Sequence, residues 1–304
     1  MHKIDLSIIV VNYNAGTFLQ RCFLSIEKNI SNKISYEVIV VDNASTDESI
    51  NEVKSSKLKV QSLTIIRNEV NVGFSKANNI GLKKATGRYI LFLNPDTELR
   101  EKTVETMIKF MDENENAGAA TCFVSLPDGK VDDASHRGFP TPWNAFSYFS
   151  GLARIFPSSM FFNGYNLGWG NLDKVHEIDA LAGAFMFVRR EAGDEVGWWD
   201  EDYFFYGEDL DFCYKLKDKG WKIYFVPTVS VLHHKGVSGG IRKESQHVTT
   251  ADNETKLRVT KARFDAMKTF YKKHYMHKYP KLVTWAIMRA ISLKQKKSLR
   301  LVSE

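Results

Sequence analysis

Two short apolar runs that each end on an acid constrain the fold of this chain most. Tyr36–Asp42 reads Tyr-Glu-Val-Ile-Val-Val-Asp, and residues 89–96 read Tyr-Ile-Leu-Phe-Leu-Asn-Pro-Asp. β-Branched and aromatic runs of this length are typical of central strands that are covered on both faces. In open α/β sheets, ligands bind beyond the carboxyl ends of such strands. The two acids, Asp42 and Asp96, therefore predict a site at one edge of a sheet.

Strand-like and helix-like segments alternate over the first 120 residues and predict a doubly wound, mostly parallel α/β sheet. β-Branched and aromatic runs mark the strands, and apolar residues three and four apart mark the helices. The predicted strands are 6–12, 36–42, 63–67 and 89–93, and the predicted helices are 16–30, a helix that starts with Ser45 or Thr46 as its N-cap, and 75–85.

The regular pattern fades after residue 129. Residues 130–175 are rich in Pro, Gly, Trp and Phe with weak periodicity, which predicts a long, partly ordered excursion over the sheet. Regular signals return as a strand over 180–189, a helix over 208–219, and strands over 221–226 and 229–232.

Composition predicts a globular enzyme rather than a disordered or membrane-spanning chain. With 304 residues and 43% hydrophobic content, there is enough apolar material for one large core. No run approaches the roughly 18 apolar residues of a membrane span, and residues 6–11 read as a strand rather than a signal segment. We therefore expect a cytoplasmic protein. The three cysteines, Cys22, Cys122 and Cys213, are widely spaced and predict core thiols instead of a disulfide framework or a zinc site.

The net charge of +6 is unevenly distributed along the chain. From Glu254 to the end there are 14 Lys/Arg against 3 Asp/Glu, a net of +11, whereas residues 1–253 carry a net of −5. Aromatic and aliphatic residues of 279–289 lie among these cations. One interpretation is attachment to an anionic membrane surface or a phosphate-bearing partner, at about 1 kcal/mol per cation near a bilayer. The other is a solvated helical appendage that packs on the domain.

Short motifs follow one another over residues 4–240. They are 9–14 Ile-Val-Val-Asn-Tyr-Asn, 41–47 Val-Asp-Asn-Ala-Ser-Thr-Asp, 71–74 Asn-Val-Gly-Phe, 79–81 Asn-Ile-Gly, 93–97 Leu-Asn-Pro-Asp-Thr, 183–190 Gly-Ala-Phe-Met-Phe-Val-Arg-Arg, 199–209 Trp-Asp-Glu-Asp-Tyr-Phe-Phe-Tyr-Gly-Glu-Asp and 233–236 His-His-Lys-Gly. In this order and spacing the set resembles the inverting glycosyltransferases of family 2, and particularly their rhamnosyltransferase-like branch.

This resemblance implies a GT-A fold over residues 1–240, with a nucleotide-sugar-binding half at 1–125 and an acceptor-binding, catalytic half at 126–240. Residues 241–304 would form a basic helical extension. The implied reaction moves a sugar, with rhamnose as the best guess, from a nucleoside-diphosphate donor to a growing bacterial surface glycan on a lipid-diphosphate carrier. The protein would then work at the inner face of the cytoplasmic membrane, with no nucleic-acid partner.

Two other function classes fit the broad fold. A sugar-phosphate nucleotidyltransferase shares it, but the glycine-rich nucleotide-binding signature of that class is absent from the N-terminal region. A catalytically silent glycan-binding protein would keep the fold without the chemistry. Measurable hydrolysis of the donor separates this class from an enzyme.

A divalent metal, Mn²⁺ or Mg²⁺, is implied by the chemistry of such a donor. Breaking the sugar–phosphate bond leaves negative charge on the diphosphate, which an ion bound by oxygen ligands and an imidazole can neutralise. The family's Asp-x-Asp motif reads Asn94-Pro95-Asp96 here. By resemblance, Asp96 and His233 hold the metal and Asn94 contacts the ribose or sugar. The alternatives are a helix N-cap at Asp96 and a role for His234 in place of His233.

The donor-binding residues are likewise given by the resemblance. Asp42 would accept a hydrogen bond from the pyrimidine ring, with polar help from nearby Ser45, and the loop at Gly73 would approach the donor closely. On residue type alone, Asp42 and Gly73 also fit plain turns. The full set of expected donor contacts is Val11, Asn14, Asp42, Ser45, Gly73, Asn79, Asn94, Asp96 and Asp179.

Inversion at the anomeric carbon requires a base opposite the leaving diphosphate. Gly207-Glu208-Asp209 opens a predicted helix, and by resemblance Asp209 is the base, while Glu208 binds the acceptor or orients Asp209. An acid-rich helix start without catalytic role is the alternative. Trp198 and Trp199 fit either an acceptor-stacking platform or the core.

Overall fold

A nine-stranded sheet with helices on both faces forms the centre of the molecule in a computed structural model that describes residues 4–56, 59–235 and 253–303. The strands are β1 Leu6–Asn12, β2 Tyr36–Asp42, β3 Leu63–Arg67, β4 Tyr89–Leu93, β5 Thr97–Leu99, β6 Ala117–Ser125, β7 His176–Glu177, β8 Phe185–Arg189 and β9 Lys222–His233. The α-helices are α1 Thr17–Asn29, α2 Ser49–Ser55, α3 Phe74–Leu82, α4 Thr103–Glu113, α5 Pro142–Ser150, α6 Leu152–Ile155, α7 Arg190–Val196, α8 Glu208–Asp218, α9 Asn253–His274 and α10 Lys281–Ser303.

The strand order is β3-β2-β1-β4-β8-β6-β9-β5, with β7 paired to β9. Strands β1, β2, β3 and β4 are parallel to one another, and β6 is parallel to β9. β8 is antiparallel to both β4 and β6, so β6 and β9 run in the same direction as β1. The predicted doubly wound, mostly parallel sheet is confirmed, with antiparallel strands inserted at β5, β7 and β8.

Both faces of the central strands are buried, which explains their unbroken apolar runs. In β1, Leu6, Ile8 and Val10 face the layer of α1, α2 and α4, while Ile9 and Val11 face the layer of α3, α7 and α8. A strand that is apolar on one face only would show period-two alternation in its sequence. The three cysteines are buried and free, as predicted.

Several sequence predictions need correction. Residues 97–99 form β5, because they pair with β9 at His233, so Asp96 is not the N-cap of a helix. The helix predicted to start at Ser45 or Thr46 begins at Ser49, because the Ser45 hydroxyl accepts the backbone N–H of Asn14 instead of capping a helix. The strand predicted over 180–189 starts at Phe185. The strands predicted over 221–226 and 229–232 are one strand, β9, whose register shifts against β6.

The excursion predicted over 130–175 consists of short elements and turns: a 3₁₀ turn at Asp133–Ser135, then α5 and α6, then turns that lead to β7. Thr141 caps α5 by accepting the backbone N–H of Asn144, and Pro142 occupies the first turn. We refer to residues 136–175 as the insertion.

The basic extension is helical over 253–303 and packs on the domain. Phe270, Tyr271 and Tyr275 are buried against Tyr203, and the His274 Nε2 atom lies 2.7 Å from an Asp211 carboxylate oxygen on α8. α10 in turn packs on α9. Residues 241–252 of the predicted extension, and Gly236 of the 233–236 motif, lie outside the described residues. Among the helices of the described segments, none combines the length and apolar character needed to cross a membrane.

Candidate active site

Polar side chains gather where the parallel strands end. β1, β2, β4, β6 and β9 run in one direction, so their carboxyl ends lie at one edge of the sheet. Asp42 ends β2, His233 ends β9, and Asp96 follows β4 by three residues. All three side chains are buried. Asp42 and Asp96 thus lie towards the same edge of the sheet, as the two strand-end acids predict.

His233 lies between two carboxylates. Its Nε2 atom is 3.3 Å from the Asp96 Oδ1 atom, and its Nδ1 atom is 3.0 Å from the Asp132 Oδ2 atom. Asp132 follows β6, and its other oxygen accepts both the backbone N–H of Ala134 and the Lys235 ammonium. These contacts fix the orientation of the imidazole ring from both sides.

The charges of this cluster are strongly coupled. Burial alone would lower the pKa of His233, but the carboxylates of Asp96 and Asp132 outweigh burial and raise it to about 9. Burial likewise works to raise the pKa of Asp96, yet the neighbouring His233 ring holds it below its ordinary value. The pKa of Asp132 is also held low, against burial, by His233 and Lys235. The cluster is thus stable as an ionised Asp–His–Asp group.

A divalent ion fits the donor set of Asp96 and His233. Protein ligands of such ions are carboxylate oxygens and imidazole nitrogens at roughly 2.0–2.2 Å from the metal. Two atoms 3.3 Å apart are near enough to share one ion. In the described part of the chain, no group of three or more His, Cys, Asp or Glu side chains is arranged to hold a metal. The remaining ligands would have to come from the diphosphate.

The neighbouring histidine serves a different contact. The His234 Nε2 atom is 2.8 Å from a Glu98 carboxylate oxygen, and its ring lies 4.9 Å from that of Phe18. Its backbone N–H donates to the Asp96 carbonyl. Of the two tandem histidines, His233 is therefore the one that faces Asp96.

The end of β2 forms a second polar group. The Asn12 amide nitrogen lies 3.0 Å from Asp42 Oδ1, 3.0 Å from the Ser45 hydroxyl and 2.9 Å from the Ser49 hydroxyl. Asn14 adopts a left-handed conformation and its side-chain oxygen accepts the backbone N–H of Thr46. Hydrogen bonds thus join the loop after β1, which contains Asn14, to the loop after β2, which follows Asp42 and contains Ser45. Buried Val11 lies beside them near the end of β1.

Gly73 allows two loops to approach closely. It has φ +89°, and a Cβ atom there would lie 2.6 Å from the Phe204 carbonyl oxygen, which accepts the backbone N–H of Phe74. Asn79 contacts the same region, because its amide donates to the Trp199 carbonyl and to Glu201. In this structure Gly73, in the loop before α3, and Asn79, within α3, both contact the loop before α8, the helix that carries the expected base.

The expected base opens α8. The Asp209 Oδ2 atom is 2.6 Å from an Arg137 nitrogen, and the two side chains are 15% and 12% exposed. Gly207 precedes the helix with φ +82°, a left-handed conformation that lets the chain turn into it. The Asp209 carboxylate is therefore held in place by a guanidinium from the insertion.

Glu208 has a different environment from Asp209. It is buried, and one of its carboxylate oxygens has no hydrogen-bond partner within the described residues. Burial, and then the charge of Asp209, raise the pKa of Glu208. Glu208 is consequently protonated near neutral pH, while Asp209 forms the ion pair with Arg137. Two adjacent acids in such different environments can serve different roles.

The remaining expected residues are Asp179 and Asn94, together with the tryptophan pair Trp198 and Trp199. Asp179 forms an ion pair with Lys217 at 2.9 Å, and Asn94 is half-buried at the end of β4. Trp199 is 2% exposed, with its ring 4.8 Å from that of Phe92, and Trp198 stacks on Phe212. Trp199 therefore occupies a core position, while half-buried Trp198 packs against the same core.

Sequence reasoning missed Asp132, Lys235 and Arg137. Asp132 meets His233 across 101 residues, and Arg137 meets Asp209 across 72 residues. Both come from the irregular stretch after β6, where no strand or helix pattern relates a residue to the sheet edge. A buried charge needs a partner of opposite charge or a hydrogen bond. In the sequence, Asp209 and the tandem histidines therefore signal that such partners exist, but they do not say where in the chain these partners lie.

Comparisons with known proteins identify the family of this chain. Residues 7–179, more than half of the chain, match the model of a family described as Glycosyl transferase family 2. An N-acetylglucosaminyl-diphospho-decaprenol L-rhamnosyltransferase of Mycobacterium tuberculosis is 25% identical over 275 residues, which are 82% of this chain and 82% of the relative. Rhamnosyltransferase WbbL of Escherichia coli strain K12 is 29% identical over 171 residues, which are 53% of this chain and 61% of WbbL.

The fold has solved counterparts. The mannosyltransferase PcManGT from Pyrobaculum calidifontis, solved in complex with GDP-Man and Mn²⁺, matches with a TM-score of 0.57 at 17% identity, and the match covers 100% of this chain and 74% of that one. A likeness at this identity concerns the fold. It confirms the predicted glycosyltransferase-type α/β architecture.

Proposed function

This chain belongs to glycosyl transferase family 2, and from that membership we propose that it transfers rhamnose from a nucleoside-diphosphate donor to a lipid-diphosphate-linked glycan of the bacterial surface. Family membership makes it a glycosyltransferase. The observation that carries the proposal is the gathering of Asp42, Asp96 and His233 at one edge of the sheet. A flat base and a diphosphate bind beyond strand ends of this kind.

In this proposal the donor lies along the strand ends. Asp42 accepts a hydrogen bond from the base, with Asn14, Ser45 and Val11 beside it, and Asn94 contacts the ribose or the sugar. Gly73 and Asn79 support this site through the loop before α8, and Asp179 lies towards the sugar and the acceptor. The neighbouring loops are hydrogen-bonded to one another, so little reorganisation is needed on binding.

We assign Asp96 and His233 as the ligands of Mn²⁺ or Mg²⁺, which when bound neutralises the charge that develops on the departing diphosphate. Asp132 has a positioning role here. Its carboxylate accepts the N–H at Nδ1 of His233, so Nε2 faces Asp96 and would present its lone pair to an ion that displaces the Nε2 proton. Carboxylate–histidine pairs of this type fix the tautomer of a ligating imidazole.

Asp209 is the proposed base, which takes the proton of the acceptor hydroxyl as that oxygen attacks the anomeric carbon opposite the diphosphate. Arg137 holds the carboxylate in position through the 2.6 Å ion pair. Protonated Glu208 can donate a hydrogen bond, which suits contact with the acceptor. Glu208 and Asp209 thus place a hydrogen-bond donor and the proposed base next to each other at the start of α8.

The proposed acceptor is membrane-bound, and its chemistry is taken from the relative whose name gives an N-acetylglucosaminyl-diphospho-decaprenol acceptor. The extension of net positive charge would keep the enzyme at the anionic inner surface of the membrane where such an acceptor resides. In α10, six Lys/Arg and no Asp/Glu occur between Lys281 and Ser303. α9 is less available, since its apolar side packs on α8.

The test is a screen of nucleotide sugars by thermal stabilisation with Mn²⁺, followed by transfer to a polyprenyl-diphosphate-linked N-acetylglucosamine. A donor at 100 times its Kd should raise the free energy of unfolding by about 2.7 kcal/mol. We expect thymidine-diphosphate rhamnose to rank first and to yield nucleoside diphosphate. Pyrophosphate release from a nucleoside triphosphate and a sugar phosphate would instead indicate a nucleotidyltransferase. Donor binding without hydrolysis or transfer would indicate a silent glycan-binding protein.

A further inference from the structure

We propose that the insertion carries an aromatic membrane-binding face, which acts together with α10 on an anionic lipid bilayer. This face consists of Trp143, Phe146, Phe149, Phe156, Met160 and Phe161. The inference rests on the proposed function for its purpose, because a lipid-linked acceptor is presented at a bilayer. The observations that support it belong to the surface itself.

The members of the aromatic face are exposed to an unusual degree. Phe146 is 57% exposed, Phe161 is 62% exposed and Met160 is 67% exposed. Single exposed apolar side chains are common on proteins, but a contiguous exposed apolar patch marks an interaction site. Complete burial of one such side chain contributes about 1.5–3 kcal/mol.

Ring contacts show that the patch is contiguous. The Trp143 ring centroid lies 5.7 Å from that of Phe146 and 4.7 Å from that of Phe161. The Phe156 ring stacks on Phe162 at 4.8 Å, and Phe162 is in edge contact with Phe161 at 5.0 Å. The rings of Trp143, Phe146, Phe156 and Phe161 are therefore connected, through Phe162, across α5 and the turns after α6.

Local structure holds this face outward. Residues 143, 146 and 149 are spaced by three along α5, so they share one side of the helix. Buried Ser147 anchors the helix by donating its hydroxyl to the Phe162 carbonyl, and the Trp143 indole donates to the Phe161 carbonyl at 2.7 Å. The aromatic face is thus fixed by hydrogen bonds beneath it and is not a loose loop that could fold inward.

The positive charge beside the aromatic face identifies an anionic bilayer as its binding partner. The Lys294 ammonium of α10 lies 3.3 Å from the centroid of the Phe149 ring, which joins the aromatic face to α10. Exposed apolar and cationic residues share the outward side of α10 in helical spacing. They are Leu282, Trp285, Arg289, Leu293, Lys296 and Arg300. Aromatic rings beside Lys and Arg match the interface of an anionic bilayer, where rings sit at headgroup level and cations meet lipid phosphates.

The aromatic face is linked closely to the expected base. The insertion contains Arg137, the partner of Asp209, near its first residue. The backbone N–H of Gly138 next to it donates to the Tyr165 carbonyl, near the other end of the insertion. The Phe139 ring lies 5.1 Å from that of Tyr214 on α8. A bilayer bound to this face would therefore hold the base-bearing helix close to lipid-linked acceptors.

The experiment is co-sedimentation of the full chain with vesicles of phosphatidylcholine alone or mixed with phosphatidylglycerol, at low and high salt. The aromatic variant is Phe146→Ser with Phe161→Ser, and the cation variant is Lys296→Gln with Arg300→Gln. The matched control is Leu24→Ser with Val70→Ser, two exposed apolar residues outside both surfaces. Fluorescence quenching by brominated lipid reports whether tryptophan enters the bilayer, with Trp143→Phe and Trp285→Phe identifying the side chain.

We expect wild type and the control to bind mixed vesicles, and the aromatic variant to bind at least about tenfold more weakly at both salt concentrations. The cation variant should lose its binding mainly at low salt, where charge attraction is least screened. Loss of quenching in Trp143→Phe would support the proposal. Wild-type binding by the aromatic variant, or wild-type protein that ignores both vesicle types, would overturn it.

Donor hydrolysis in solution separates this inference from the proposed function. All variants should hydrolyse donor at the wild-type rate, because none of the changed residues belongs to the donor or base cluster. If wild type binds vesicles but hydrolyses no nucleotide sugar, the proposed reaction fails and the membrane face stands. If hydrolysis is normal but vesicles are ignored, only the membrane face fails.

Discussion

The two halves of the site are built in different ways. The donor side uses strand ends: Asp42, Asp96 and His233 each lie at or just beyond a strand whose neighbours fix it on both sides. The acceptor side depends on one ion pair, between Asp209 at the start of α8 and Arg137 from the insertion. Regular backbone thus places the proposed metal and donor residues, whereas irregular backbone places Arg137, the partner of the proposed base. We expect changes on the two sides to affect different steps.

The largest expected effect is at the base. Asp209→Asn should lower the rate of transfer by about 10² to 10⁴-fold, because the amide keeps the shape but cannot accept the hydroxyl proton. Donor affinity should remain near that of wild type. Single-turnover transfer and nucleotide titration measure the two quantities separately.

Glu208→Gln is the matched control for that substitution. Glu208 has a raised pKa, so its neutral form is the one that a glutamine imitates, and we expect only a modest loss of transfer. If Glu208→Gln is inactive and Asp209→Asn is not, the two roles must be exchanged.

Removal of the ion-pair partner should sharpen the difference between the halves. Arg137→Met leaves the Asp209 carboxylate unpaired in a nearly buried position, and breaking a buried pair costs about 3–5 kcal/mol. We expect a lower Tm and at least tenfold slower transfer, while the protein that stays folded binds nucleotide normally. Equal losses of nucleotide binding and transfer would contradict the separation of the two sides.

Asp132→Asn tests the donor side through a residue that touches no substrate. Loss of the carboxylate at His233 Nδ1 should weaken metal affinity by about 10- to 100-fold, without removing a ligand. The electron paramagnetic resonance signal of free Mn²⁺ measures this in the presence of nucleoside diphosphate. Asp133→Asn is the control, because Asp133 is the next residue in the chain and its side chain is exposed. Identical affinities in the two variants would refute the positioning role of Asp132.

The smallest expected effect is on the pH dependence of the free energy of unfolding, measured in the presence of EDTA. The folded protein holds the His233 proton up to about pH 9, whereas an unfolded histidine loses it near pH 6.5. Stabilisation by this proton is therefore complete below about pH 6.5 and lost as the pH rises through 9, with up to about 3 kcal/mol at stake. His233→Gln should flatten that part of the urea-unfolding profile, and the exposed His277→Gln should not.

Much of the donor side could be predicted from the sequence, and the reason is physical. Apolar runs such as Tyr36–Asp42 specify buried parallel strands. Because the ends of parallel strands meet at one edge, the sequence alone predicts that Asp42 and Asp96 lie at the same edge. His233 could be assigned only by resemblance, because nothing local distinguishes it from His234. The family and the fold are confirmed by the matches over residues 7–179 and to solved structures.

The contacts made by irregular segments, on both sides of the site, resisted prediction for the converse reason. Arg137 and Asp132 lie in a stretch whose backbone follows no period, so their long-range partners are set by tertiary packing alone. Ser45 is not the predicted N-cap because its hydroxyl bonds a neighbouring loop. The aromatic face could not be predicted either. The number of aromatic residues in a segment does not show which of them are exposed unless a helical periodicity assigns each residue to one side of a helix.

The most direct test of the assigned metal and donor site is metal-dependent binding of nucleoside diphosphate, measured by calorimetry in wild type, Asp96→Ala, His233→Ala and His234→Ala. We predict tight binding with Mn²⁺ in wild type, and comparable large losses in Asp96→Ala and His233→Ala that do not add in the double variant, because both remove ligands of one ion. His234→Ala should bind like wild type. Equal binding in EDTA, or a loss confined to His234→Ala, would contradict the assigned site.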